Sequence, residues 1–249
     1  MHTKAMVLSK KVFKDRHLIS DVLLEDGSKK TVLFFGGQGG GTKSKPSTVE
    51  IGFALNLSLK ENKKSTIYNC NDWTVLWRHL CIENNYKAYF LLNFFSEIIN
   101  NVSFEDMNET SEIGELYTIF SNACFYLDKS LEADNFEMYR STFMFFGKLL
   151  YSLGIFPDIQ NCIICKEALE VGTYFNVLEG GFECSKCSDF HHPSEVFINL
   201  RKVMNVPFKR YSEISKLDLE QSRQIYTYFI QQFQINPHHI KSSQFIYGQ

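Results

Sequence analysis

The sequence predicts an α+β protein in three parts. A five-stranded β-barrel is expected over residues 1–79 and an α-helical domain over 80–249, with a four-cysteine insert at about 158–192 inside the latter. Three features of the sequence point to this. Along 51–59, Ile51, Phe53, Leu55, Leu57 and Leu59 alternate with small or polar residues, the period of a strand with one buried face. From residue 73 onward the apolar spacing lengthens to that of helices. Four cysteines then stand as two Cys-x-x-Cys pairs, Cys162 with Cys165 and Cys184 with Cys187, separated by eighteen residues.

In chain order, 4–13 is expected as the first strand and 17–25 as the second, with Asp26-Gly27 as a hairpin turn. The third strand is 30–35 and the fourth 49–59. After the polar turn Glu61-Asn62-Lys63-Lys64, residues 65–70 form the fifth. Five short antiparallel strands in about 70 residues fit the oligonucleotide-binding (OB) fold. The run from Gly36 to Lys45 has the look of a phosphate-binding P-loop. Its register is wrong, because Thr42 separates Gly41 from Lys43-Ser44, where Lys must follow Gly directly, and a strand follows in place of a helix. It is read as a basic-ended loop, either a contact for a nucleic-acid backbone or a connection with no ligand.

Trp73, Leu76, Trp77 and Leu80 fall at helical spacing, and 89–99 is dense in Leu, Phe and Ile. Ile113, Leu116, Tyr117, Phe120, Cys124 and Leu127 form a further stripe. Asp134 with Glu137 reads as a capping-box start, and Leu153-Gly154 with Pro157 as the stop of that helix. Residues 193–205 read as a helix. Asp218 with Gln221 is a second capping box, opening a helix that Pro237 closes.

Each Cys-x-x-Cys turn aims two sulfurs at one point, and two such turns complete a closed tetrahedral site. The pattern predicts one structural zinc per chain, held by Cys162, Cys165, Cys184 and Cys187. A catalytic zinc keeps a position open for water, and four cysteines leave none. A redox motif needs one pair rather than two. Gly180-Gly181 would allow a sharp turn before the second pair. Lys166 and Lys186 would offset part of the negative charge of four thiolates, and His191 and His192 are read as bystanders.

The net charge of −2 hides an asymmetry: residues 1–72 hold 12 Lys+Arg against 7 Asp+Glu, and the remainder 14 against 21. A basic first part predicts an anionic partner. Lys10, Lys11, Lys14, Arg16, Lys43 and Lys45 are the candidate DNA contacts, with Phe13 as a stacking platform. Arg201, Lys202, Lys209 and Arg210 form a second basic cluster beside Phe208 and Tyr211, a candidate partner-binding site. No apolar run reaches eighteen residues, so no transmembrane helix is expected. The scattered Cys70, Cys81 and Cys124 suit a reducing cytoplasm. No catalytic constellation stands out, and the chain is not expected to be an enzyme.

The run Phe146-Gly147-Lys148-Leu149-Leu150, followed by Leu153-Gly154, Pro157, the first cysteine pair, then Gly180-Gly181 and the second pair, resembles the signature of the RecO family of bacterial DNA repair and recombination mediators. Lys4-Ala5-Met6-Val7-Leu8 at the start and Ile240-Lys241-Ser242-Ser243 near the end are similar too. One departure is that the family's basic segment after the third strand is replaced by Gly36-Gly37-Gln38-Gly39-Gly40-Gly41, with Lys43 and Lys45 delayed. The resemblance implies binding of single- and double-stranded DNA and annealing of complementary strands. It implies partnership with RecR and single-strand-binding protein and, through them, RecA loading, in a bacterial cytoplasm at the nucleoid. In the family picture single-strand-binding protein offers an acidic, apolar-ended tail, for which Arg201, Lys202, Lys209 and Arg210 are the candidate site, the alternative being a solvated basic surface. The competing reading is a zinc-stapled protein-interaction module without direct DNA contact.

Overall fold

A computed structural model describes residues 1–14, 16–37, 48–62, 65–103, 114–190 and 192–248. Strands β1 (His2–Val7), β2 (Lys11–Phe13), β3 (His17–Leu24), β4 (Lys29–Phe34), β5 (Ala54–Lys60) and β6 (Tyr68–Trp77) form one sheet in the order β1-β5-β6-β4-β3-β2. A further pairing of β1 with β3 closes five of these strands into a barrel. β4 and β6 pair in parallel, while the other ladders of the barrel are antiparallel. This is the OB-type barrel that the strand pattern predicts.

Three boundaries differ from expectation, each for a local reason. The first strand breaks at 8–10, where the N–H groups of Leu8 and Ser9 both turn to the Asp21 carbonyl. The break gives two pieces, β1 between β5 and β3, and β2 against β3 alone. The fourth strand starts at Ala54 rather than 49, because Gly52 sits at φ +81 and a turn bond runs from Phe53 N–H to the Glu50 carbonyl. The helical spacing of Trp73, Leu76 and Trp77 is overridden: β6 runs on to Trp77 because β5 supplies a ladder, with Leu57 opposite Trp73 and Ala54 opposite Trp77. Val, Thr and Trp suit a pleated strand, and the barrel edge outweighs a local period.

The barrel interior follows the period-two pattern. Leu55, Leu57 and Leu59 point inward to meet Val22, Val32, Phe34 and Cys70, whereas Asn56 is exposed. The same compact unit, Met1–Asp134 with Ile240–Ser242, includes helices α1 (Tyr86–Val102) and α2 (Gly114–Glu132). Asn85 caps α1 through its side chain, which accepts the Ala88 N–H at 3.1 Å. The strands of the barrel thus end at Trp77 and α1 begins at Tyr86, while the unit itself runs on to Asp134.

The second unit, Asn135–His239 with Ser243–Gln249, holds α3 (Met138–Ser152), strands β7 (Asp158–Cys162), β8 (Tyr174–Asn176) and β9 (Gly181–Glu183), and then α4 (Glu195–Val203), α5 (Leu219–Phe233) and α6 (Ser243–Tyr247). Phe146 of α3 packs its ring 5.1 Å from Phe229 of α5. The Asp218–Gln221 capping box forms as read, with both reciprocal bonds. The Asp134–Glu137 box does not form: Asp134 takes φ +50, and Glu137 is an N-cap without a side-chain bond, its carboxylate instead 2.6 Å from Lys216. α3 stops at Leu153-Gly154 as expected, its last residue being Ser152, with Gly154 N–H on the Tyr151 carbonyl and Ile155 N–H on that of Leu150.

Where the barrel hands over to the helices, buried Asp128 of α2 accepts the N–H groups of Leu80, Cys81 and Ile82 at 2.8–3.2 Å. One carboxylate satisfies three donors that a short turn cannot satisfy itself. Asp128→Ala should cost about 2–4 kcal/mol in a urea-unfolding measurement, given the strength of hydrogen bonds to charged groups. Asp128→Asn, which keeps one acceptor oxygen, should cost less; equal losses in both variants would contradict this role for the carboxylate.

Candidate metal centre and nucleic-acid interface

The two cysteine pairs meet. β7 delivers Cys162 at its end, the following turn carries Cys165, and Cys184 and Cys187 follow β9. β9 lies beside β7, with Phe182 in register with Cys162, so the strand pairing itself brings the two turns together. Gly181 is required there: a Cβ would stand 2.5 Å from Ile163 Cγ2. The four sulfurs lie within 4.8 Å of one another, and Sγ of Cys165 is 3.9 Å from Sγ of Cys184. Metal–sulfur bonds of about 2.3 Å arranged tetrahedrally put sulfurs about 3.8 Å apart, so the donors and their spacing fit a four-thiolate ion.

The protein also prepares the charge. Burial pushes the Cys162 thiol up, but the backbone N–H groups of Cys165, Cys184 and Ile164 outweigh it and hold the value down at about 6. One of these, Cys184 N–H, donates to the Cys162 sulfur at 3.3 Å. The Cys184 side chain, and burial after it, push Cys187 up to about 12. Lys186 turns to Glu167 at 3.5 Å, and Lys166 takes φ +62 in the first turn. Among the described residues no histidine joins the cluster.

The basic candidates of the barrel are spread out. Lys10 is ion-paired with Glu50. Lys11, Lys14 and Arg16 are exposed around the β2–β3 hairpin, and the Lys14 ammonium lies 5.3 Å from the Phe13 ring centroid. Lys43 and Lys45 lie outside the described residues. In the second unit, the Arg201 guanidinium reaches the Glu170 carbonyl at 3.3 Å, Lys202 faces Ser215 at 3.5 Å, Lys209 is exposed, and Arg210 pairs with Glu213 at 3.4 Å. Phe208 and Tyr211 are buried, the Tyr211 hydroxyl bonding the Asn135 carbonyl.

Two grooves open on the first unit. The larger, about 920 Å³, lies between β6 and α1 and is lined by Thr48, Glu50, Leu76, Arg78, His79 and Tyr89, among others. His79 is buried, with Nε2 3.1 Å from the Ile51 carbonyl and Nδ1 3.5 Å from Glu83, and the Thr48 hydroxyl accepts the Trp73 indole N–H. The smaller, about 300 Å³, includes Lys29, Lys30 and Tyr68. Sequence reading missed these three. The doublet Lys29-Lys30 was the available signal; its nearness to Tyr68 arises from the β4–β6 pairing, which spacing along the chain does not reveal.

A family model described as "Recombination protein O C terminal" matches residues 83–232, more than half of the chain. Three curated relatives bear the name DNA repair protein RecO. That of Thermodesulfovibrio yellowstonii is 28% identical over 115 residues, 45% of this chain and 41% of the relative. That of Acetivibrio thermocellus is 26% identical over 125 residues, 50% of this chain and 47% of the relative. That of Caldanaerobacter subterraneus is 26% identical over 195 residues, 76% and 72%. The chain thus matches less than half the length of the first two. No helix among the described residues is long and apolar enough to cross a membrane.

Each sulfur must give up its proton to bind a cation, so metal affinity of the four-cysteine cluster should rise with pH. A chelator-competition titration from mildly acidic to mildly alkaline medium should record that rise; a flat profile would contradict thiolate ligation.

Proposed function

The chain belongs to the RecO family, and from that premise we propose that it is a DNA repair and homologous recombination mediator. In this reading it binds single- and double-stranded DNA, anneals complementary strands, and with RecR assists RecA loading on DNA coated by single-strand-binding protein. The observation that carries the reading is the OB-type barrel with Lys11, Lys14 and Arg16 exposed at one hairpin, in a chain whose matched region belongs to this family. Phosphate contacts by such side chains supply affinity without reading bases. Residues 1–79 would carry the DNA, with Lys10 and the loop residues Lys43 and Lys45 adding charge, and 80–249 the protein partners.

No step in mediation calls for a reacting side chain: the protein holds strands and partners. The exposed faces of Arg201, Lys202, Lys209 and Arg210 would receive the acidic tail of single-strand-binding protein by charge. Cys162, Cys165, Cys184 and Cys187 would hold one zinc ion for folding. Bound there, the ion would supply a cross-link between β7 and β9 and no chemistry. The reading places the protein in the bacterial cytoplasm at the nucleoid, with no membrane role.

Two measurements test it. Complementary strands precoated with single-strand-binding protein should anneal faster with the protein than without. Unaccelerated annealing, with partner proteins still bound, would favour a zinc-stapled protein-interaction module. Metal analysis should find about one zinc per chain. Cys162→Ser should lose that metal and melt earlier, since structural zinc contributes on the order of 10 kcal/mol in small domains; unchanged melting in a metal-free protein would remove the structural role.

A further inference from the structure

The parallel pairing of β4 with β6 sets Val32 opposite Tyr68 and Phe34 opposite Cys70. It brings the start of β4, with Lys29 and Lys30, beside the connection from β5 that leads into β6. The 300 Å³ groove opens at this place, lined by Lys29, Lys30, Ser65, Thr66 and Tyr68, with Glu61 as the carboxylate on its wall. Tyr68 rests on the barrel core and is half-buried, so its ring is held in place. The Lys30 ammonium lies 5.7 Å from the centroid of that ring. The Lys29 ammonium donates to the Asn100 carbonyl at 2.8 Å, which fixes its charge at the rim. Ser65 Oγ accepts the Ile67 N–H at 3.1 Å and keeps its own proton to donate elsewhere.

We propose that this groove holds one nucleotide of a single-stranded nucleic acid: Lys29, Lys30 and the hydroxyls of Ser65 and Thr66 take the phosphate, and Tyr68 takes the base. The proposal rests on the nucleic-acid reading of the barrel and moves its centre from the β2–β3 hairpin to the β4–β6 side. Two ammonium groups with two hydroxyl donors match a phosphate; an aromatic ring adjoining them matches a base. That combination of electrostatic and stacking groups is how single strands are held without sequence preference. An acidic peptide would satisfy the ammonium groups equally but offers Tyr68 no base, so the ring favours nucleic acid.

The test uses the full chain, a labelled oligothymidylate and fluorescence anisotropy across a salt series. Lys29→Gln with Lys30→Gln should weaken binding and flatten the log–log salt slope by roughly 0.7, the loss of one phosphate contact on a single strand. Tyr68→Leu should weaken binding about tenfold with the slope unchanged, since stacking releases no counterions. Tyr68→Phe, which keeps the ring, should bind as the unaltered protein does and guards against a folding defect. If the unaltered protein binds and the lysine and Tyr68→Leu variants bind alike, the groove is overturned while the nucleic-acid reading stands. If the unaltered protein fails to bind, both fall. If the variants lose an acidic peptide but keep the oligothymidylate, the groove belongs to a peptide and the proposal is wrong.

Discussion

The parallel ladder between β4 and β6, in the ring that the β1–β3 pairing closes, is the constraint on which the amino-terminal unit depends. An open sheet would leave the outer rows of N–H and C=O groups on β4 and β6 unpaired and available to any passing strand. The parallel ladder pairs them over Val32–Phe34 and Tyr68–Cys70. It also encloses the inner face, so that Phe34, Leu18 and Cys70 are wholly buried in a barrel of short strands. The same ladder decides which surface residues become neighbours. Lys30 and Tyr68 are far apart in sequence and come together because Val32 faces Tyr68.

The second unit solves a different problem. β8 and β9 have three residues each, and their sheet has three strands. Such a sheet buries too little surface to stand alone. Part of the remedy is aromatic: Phe182 packs 4.7 Å from Phe175 and 5.1 Å from Phe197 of α4. Beside these rings four sulfurs converge at the ends of β7 and β9. The N–H groups that hold Cys162 down at about 6 act before any ion is present. The backbone thus favours the thiolate at Cys162, whereas Cys165 and Cys187 are pushed up.

Much of this was legible in the sequence, for reasons that differ by region. The cysteine cluster was readable because its information is local: two turns, fixed spacing, one residue type. The Asp218–Gln221 box was readable because both partners lie within one turn of helix. The strand period at 55–59 survived because one face is buried throughout. What failed depended on distant partners. Trp73 and Trp77 carry a helical period, but β5 claimed them as strand. Asp134 and Glu137 match a capping box in type, yet Lys216, remote in sequence, engages Glu137.

The segment Ile240–Ser242 returns to the first unit after the second has been built. Ile240 is buried there, and the Ser242 N–H donates to the Glu97 carboxylate at 2.9 Å. In chain topology the second unit is thus entered after Asp134, left before Ile240 and entered again at Ser243. A single cut in the connection at 134–135 would not by itself release one unit from the other, because the return segment remains anchored to α1 through Glu97. The chain passes between the units three times, after Asp134, after His239 and after Ser242, so a protease cutting at the first of these joints would leave the two still covalently joined through the later crossings.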